Sequence, residues 1–471
     1  MGWSVPEVPI KASPPAWSPW PCVLIIIMGL FISLIIVVLN SPADGLLPLT
    51  NRYWLPLAIS TIAWILIAIT IYLLWWEIQA VSVWNWNTWR DEMHQAWRHH
   101  AHQHLAIVHH VLITTDSRAL ARLAGVIKEE DGEISVLTIL PDGPVTPGIS
   151  RFEQLSRFLI AQITPFLFQR YPAGKLRIII QTSGIDKNKE LQMFIRNWGA
   201  ESYPWQVDIC LQNNELPFND WNQKLSPGHI PVLILALHYR QSDEILPEFV
   251  CGLFLMPPLL LRSTEQKNVL RLFRAMPMNN HALAAELQEL QSMVQLPSDK
   301  KYLVWYSGMA TAPSQSLSRV LGELPISLYE NIGTNGIIDY TGAYGGYGAL
   351  AGWPMIAAAA DMAAYGPENQ WLLLEDKQDA WAIALGHNTA VSEHKPMVSL
   401  PPFPAGSILM AIILNMGLYY ATIHSFPSLA FSWWGLCVLL LSLAVTLPGI
   451  ALMLRYIIAT LQRQRFIKAA Q

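Results

Sequence analysis

Polar residues are almost absent from four stretches of the chain. Residues 54–76 (WLPLAISTIAWILIAITIYLLWW) carry no charge. At about 1.5 Å of rise per residue, this stretch covers a ~30 Å hydrocarbon layer. A soluble core helix would show a polar stripe, and this one has none. Tryptophan closes both ends, where amphipathic rings suit a headgroup layer. Residues 21–40, 405–423 and 429–454 are apolar in the same way. Turn-forming residues at 41–51 join the first two spans, and residues 424–428 (HSFPS) join the last two. The pattern predicts two transmembrane hairpins.

Between the hairpins the period changes. Residues 176–181, 207–211, 231–239 and 249–255 are short apolar runs, while 151–169 and 189–198 have helical spacing. Strands alternating with helices predict an α/β layer with parallel strands. A similar order returns later, with a strand at 302–306, helices at 313–321 and 348–364, and strands at 371–375 and 380–385. Each stretch is a βα run ending in two adjacent strands, which points to an internal duplication. The expected organisation is a tail (1–20), a hairpin (21–76) and a Trp- and His-rich juxtamembrane helix (77–104). Two α/β halves (105–260 and 261–399), a second hairpin (400–455) and a basic tail (456–471) follow.

Composition supports this reading. The chain is 52% hydrophobic and 14% charged, against about 25% charged in an average globular chain. A mean hydropathy of only +0.29 leaves room for a large soluble part. With a net charge of −4 and no basic stripe, nucleic acid is not an expected partner. The four cysteines lack CxxC or zinc-type spacing, so neither a disulfide framework nor a structural zinc is supported. Basic residues flank the outer ends of the hairpins (Arg455, Arg463, Arg465 and Lys468), whereas the inner connections carry one Arg and no Lys. By the positive-inside rule, both tails and the soluble region are expected on the cytoplasmic side of a membrane that the chain crosses several times.

Residues 331–336 (NIGTNG), followed by 342–352 (GAYGGYGALAG) entering a helix, resemble a segment of β-ketoacyl synthases. There an Ile-Gly-His and an Ala-Ala-Gly precede a packed helix. In outline residues 107–388 are similar to the thiolase-like fold of that family, two related α/β halves packed together. The resemblance implies a nucleophilic cysteine opening a helix between the middle strands of the first half, and an active-site histidine after the Ile-Gly. Residues 213–229 contain no cysteine, and Thr334 stands in the place of the histidine. A condensing enzyme needs the thiolate to take the acyl group and the histidines to stabilise enolate and oxyanion. The expectation is therefore a non-catalytic thiolase-like domain that binds a protein partner. Trp-rich hairpins around such a domain are similar to accessory proteins of type VI secretion clusters, which implies a secretion component or an effector as partner. The alternative is a membrane-bound acyl-transfer or condensing enzyme with a rewired site. A transporter is disfavoured, because only Asn415 is strongly polar within the span interiors.

Further residues carry candidate chemistry. His100 and His104, at i,i+4 on a helix, would present two imidazoles to a divalent metal, and a solvated juxtamembrane face is the competing reading. Gly333, Thr334, Gly345, Gly346 and Gly348 form either a ligand loop or a packed turn. The run lacks the Lys-Ser/Thr of a P-loop and the spacing of a dinucleotide loop, so no cofactor is expected. Ser307, Cys210, Cys251 and His387 are the residues an enzyme would depend on, with Asp339, Asp361 and Glu375 as further acids. The sequence leaves homo-oligomerisation open.

Overall fold

The structure is a computed structural model that describes residues 2–14, 16, 18–39, 51–127, 137–140, 148–213, 215–216, 218, 230–240, 246–266, 268–279, 282–309, 311–331, 334–377, 379–389 and 400–470. Residues 1–5 with 96–393 form one compact unit, and 6–95 with 394–471 form another. The chain opens with helices α1 (Trp20–Leu39) and α2 (Asn51–Ala101). The second is continuous through the Trp-rich stretch and stops at Ala101, not at residue 104.

The soluble unit begins with β1 (His104–Thr114), α3 (Ala119–Leu123), α4 (Arg151–Arg170) and β2 (Gly174–Thr182). It continues through α5 (Lys187–Ala200), β3 (Trp205–Leu211), β4 (Val232–His238) and β5 (Phe249–Met256). Local chemistry sets several boundaries. Ser150 caps α4 by accepting the Glu153 amide at 3.2 Å, and Asp186 caps α5 by accepting that of Lys189 at 3.1 Å. The second half runs β6 (Leu270–Phe273), β7 (Met276–Met278), α6 (Leu283–Ser292), β8 (Tyr302–Ser307) and α7 (Thr311–Glu323). After β9 (Glu330–Asn331), β10 (Thr334–Asn335) and β11 (Ile337–Asp339) come α8 (Tyr340–Tyr344), α9 (Gly352–Met362), β12 (Asn369–Asp376) and β13 (Asp379–Gly386).

One sheet holds both halves, in the order β11-β8-β12-β13-β6-β1-β5-β4-β2-β3, with β7 also paired to β13. Setting aside the small β9–β10 ladder and the three-residue β7, each half places its strands third, second, fourth, fifth, first. In each half the fifth strand is antiparallel to its neighbours, as β5 is to β4 and β1 and β13 is to β12 and β6. The two first strands join the halves, with Ile107 opposite Leu270 and Leu105 opposite Leu272. This duplicated mixed sheet is the expected α/β arrangement of two related halves.

Helix α9 forms the centre. All its residues except Asp361 are buried, and the small side chains of Ala357, Ala358, Ala359 and Ala360 let it lie close to strands of both halves. Its cluster takes in Ile234, Cys251 and Leu253 from the first half and Trp305, Leu372 and Ile383 from the second. On the other face, Leu155, Leu159 and Ile163 of α4 cover the first half, while Leu287 of α6 and Leu317 of α7 cover the second.

In the other unit, α10 (Ala405–Ser425), α11 (Pro427–Ala430) and α12 (Trp433–Ala469) follow. Four helices, α1, α2, α10 and α12, are long and apolar enough to cross a membrane. The last runs on through the basic residues without a break, so the expected separate tail is helical. Polar bonds join these helices. Ser33 meets Thr61 at 2.6 Å, and Asn415 joins Thr446 and Ser442, each at 2.6 Å. Glu77, fully buried, accepts the Ser407 amide at 2.8 Å and its hydroxyl at 2.7 Å, placing a carboxylate at the first turn of α10. A Cβ at Gly406 would overlap the backbone of Leu74. The Trp-rich stretch of α2 holds residues 8–11. Trp86 donates to the Pro9 carbonyl at 3.0 Å, and Arg90 to that of Val8 at 2.9 Å. Asn87 pairs with both backbone groups of Lys11, whose ammonium lies 3.7 Å above the Trp86 ring.

Candidate functional site

Ligands of open α/β sheets gather beyond the carboxyl ends of strands where the strand order reverses. Here β8 sits between parallel neighbours β11 and β12, and β2 between β3 and β4. Ser307 closes β8 with its Oγ 3.1 Å from Thr341 Oγ1, which also accepts the Gly308 amide at 3.2 Å. Asp339 then caps α8 by accepting the Gly342 amide at 3.0 Å. Gly308 has φ +75°, and a Cβ there would overlap the Glu375 carbonyl, so only glycine fits this turn.

The glycine-rich run leads from this rim into the space between the halves. Helix α8 ends at Gly345 (φ +112°), and Gly348 (φ +55°) opens a 3₁₀ turn that leads into α9. The tyrosines of residues 340–347 pack inward. Tyr340 and Tyr344 stack at 4.8 Å, and the Tyr347 hydroxyl donates to the Pro247 carbonyl at 2.9 Å. The Tyr347 ring also meets Phe249 at 4.8 Å and His238 at 5.2 Å. Nearby, His110 of β1 bonds Asp361 of α9 at 2.8 Å, and Cys251 of β5 is fully buried.

This cluster is held neutral. Burial, with Asp361 adding to it, pushes the Cys251 thiol well above its ordinary value. Burial likewise raises the phenols of Tyr340, Tyr344 and Tyr347. Nucleophilic cysteines need the opposite setting, a thiolate stabilised by a cation or a helix N-terminus. Three aromatic rings pack into this space, and burial keeps the thiol beside them protonated.

The residues singled out from sequence do not converge. Gly345, Gly346 and Gly348 shape the tyrosine-packed turn, while Gly333 lies outside the described residues. Thr334 pairs with Asn331 in the β9–β10 ladder. Ser307 and His387 lie toward opposite ends of the β8-β12-β13 ladder, separated by about 17 Å of strand. Cys210 is on edge strand β3, whereas Cys251 lies in the interior of the sheet. The helical spacing assumed for His100 and His104 is absent. His100 packs on Trp97 in the last turn of α2, at 5.6 Å, and His104 opens β1. Among the described residues, no group of three or more His, Cys, Asp or Glu is arranged to hold a metal.

A cavity of about 230 Å³ is lined by His99, His102, Gln103, His104 and, from the turn after β5, Pro257, Pro258 and Leu259. His104 Nδ1 lies 3.0 Å from the His102 carbonyl, and His102 Nε2 lies 2.8 Å from that of Met293. The two rings are thus fixed by backbone acceptors, and burial lowers the pKa of His104.

No family model matches the chain, and no curated protein matches it. Solved structures do. A type II polyketide-synthase acyl-carrier protein in complex with its ketosynthase (AntDE:AntF) is similar at 9% identity and TM-score 0.42, over 60% of this chain and 99% of that one. Cerulenin-bound OleA of Xanthomonas campestris is similar at 10% identity and TM-score 0.36, over 60% and 97%. The 3-oxoacyl-[acyl-carrier-protein] synthase III of Aquifex aeolicus is similar at 11% identity and TM-score 0.28, over 45% and 76%. No residue role or activity is carried across from these likenesses.

Proposed function

We propose that this protein is a membrane-attached binding scaffold, whose thiolase-like unit docks a protein partner and performs no condensation. The filled space between the halves carries this reading, since Tyr340, Tyr344 and Tyr347 occupy it and Cys251 beside them is held as a thiol. The four apolar helices support attachment to a bilayer. The basic residues after the last span favour the cytoplasmic face of a bacterial inner membrane. The partner we propose is a component or effector of a secretion machine, type VI in the first instance.

Two measurements on the full chain in lipid nanodiscs test this. Incubation with acyl and malonyl thioesters, followed by intact-mass and peptide mass spectrometry, is expected to leave Cys210, Cys251 and Ser307 unmodified with no carbon dioxide released. Affinity purification from the native host is expected to return a secretion component in stoichiometric amount. A covalent acyl adduct on the chain overturns the scaffold reading, as does recovery of acyl carrier protein in place of a secretion component.

A further inference from the structure

Residues 2–5 belong to the soluble unit although they form neither helix nor strand. Trp3 is only 8% exposed and shares a hydrophobic cluster with Leu283, Leu287 and Leu290 of α6. A single side chain of that helix holds the surrounding backbone. Glu289 Oε1 accepts the Val5 amide at 3.3 Å, and its carboxylate also accepts the Trp3 amide. Gly2 has φ +56°, and a Cβ there would overlap the Glu289 carboxylate. Ser4 also has a positive φ, +53°, which is uncommon outside glycine. The segment therefore sits on α6 by one buried indole, two amides on one carboxylate and a glycine that a larger residue could replace only by displacing the Glu289 carboxylate.

These are the marks of peptide recognition: a pocket for one aromatic anchor, capture of backbone N–H groups, and little else. We propose that the α6 face is a recognition groove for an extended protein segment of the form Gly-Trp-x-Val, and that residues 2–5 are its resident intramolecular occupant. The partner class is a protein bearing an accessible Trp preceded by glycine and followed at the second position by an aliphatic residue. Tethering gives the resident segment a high effective concentration, so a free peptide competes poorly until the cis anchor is removed. This groove is separate from the tyrosine cluster, and the inference stands whether or not the unit is a secretion scaffold.

The test uses the full chain in nanodiscs and a fluorescein-labelled Gly-Trp-Ser-Val-Pro-Glu peptide, read by anisotropy. The Trp3→Ala chain is expected to bind the peptide saturably, and at least about tenfold more tightly than the unaltered chain does. Binding is expected to fall by about tenfold or more when the peptide Trp is replaced by Ala, or when Glu289→Ala is added. Absence of binding to Trp3→Ala, or equal binding to both chains, overturns the proposal. A second measurement avoids dependence on how Trp3→Ala folds. In Glu289→Gln, hydrogen exchange at the Trp3 and Val5 amides is expected to quicken while α6 keeps its protection. Quickening of both together would show residues 2–5 to be an ordinary part of the core and sink the groove.

Discussion

Replacing Glu248 by Gln perturbs a carboxylate that accepts four hydrogen bonds. Glu248 is 1% exposed and immediately precedes β5. Its Oε1 accepts Arg151 Nε at 3.0 Å and the Arg240 amide at 3.4 Å. Its Oε2 accepts Arg151 Nη2 at 2.5 Å and the Ile139 amide at 3.1 Å. One side chain thus ties together residues 137–140, the start of α4 and the approach to β5. In Glu248→Gln, an amide NH₂ must face either a guanidinium or a backbone N–H, so donors oppose donors. Losing one partner of a buried pair costs about 3–5 kcal/mol. Arg151 keeps 24% of its side chain exposed, so water can take up part of the loss, and about 3 kcal/mol is expected. At roughly 2 °C per kcal/mol for a domain of this size, the soluble-unit Tm should fall by about 6 °C. Differential scanning fluorimetry in nanodiscs would measure it.

The pH dependence has a definite sign. Burial pushes the Glu248 carboxyl up, but the Arg151 bonds, the Ile139 amide and the Arg151 charge outweigh it and hold the carboxyl below 4.5. A depressed carboxylate contributes stability that is complete above its unfolded pKa and is lost as pH falls through its folded one. The gap between Glu248→Gln and the unaltered chain should be full at pH 7 and should narrow only in acid, below the ordinary glutamate range. A gap under about 1 °C at pH 7, or one that does not narrow on acidification, refutes the reasoning.

The remaining predictions concern other buried polar groups. Glu77→Ala removes the acceptor for the Ser407 amide and hydroxyl and should cost about 1–2 kcal/mol. It should appear as a lower helix-melting temperature by circular dichroism in micelles, and an unchanged melt would contradict the bond. Gln370→Leu strands the Trp305 indole N–H and the Ala359 carbonyl, now bonded at 2.7 and 2.8 Å. About 2 kcal/mol of soluble-unit stability should be lost, readable by the same fluorimetry. Cys251 should resist iodoacetamide in the folded chain and react only in denaturant, as peptide mass spectrometry can follow. Rapid native labelling would mean the cluster opens to solvent.

Most of the sheet was legible because β2, β4, β5, β12 and β13 are dense apolar runs whose period announces them. Strand β1 was not, since HLAIVHHVLIT carries three histidines and directly follows a helix that shares its His-rich composition. Strands β6 and β7 are short, and Arg274 lies between them and Pro277 within β7, so neither shows an apolar run. The duplication could be read in the two closing strand pairs, but not the shared strand order, which depends on pairings across more than a hundred residues. At the site, the aromatic residues among the glycines (Tyr340, Tyr344, Tyr347 and Trp353) already suggest a packed turn, but not which residues of the first half their rings meet, because that is a property of the folded neighbour and not of the run itself. The His-lined cavity was hidden for the same reason: Pro257 and Leu259 lie some 150 positions from His104.

The position of the buried polar groups bears on where function can reside. Gln370 meets the Trp305 indole and the Ala359 carbonyl at once, and His110 is occupied by Asp361. The Gln370 bonds fix the packing of α9 against the second half, since each, once lost, leaves a costly orphan in the interior, whereas the His110–Asp361 pair is partly open to water. Catalysis by this layer would need at least one group released from that duty and charged at neutral pH, whereas burial keeps the Cys251 thiol and the Tyr340 phenol protonated. The layer is therefore suited to rigidity. On the reading proposed above, recognition would fall to the outside of the sheet, at the α6 face where a Trp and two amides meet one carboxylate.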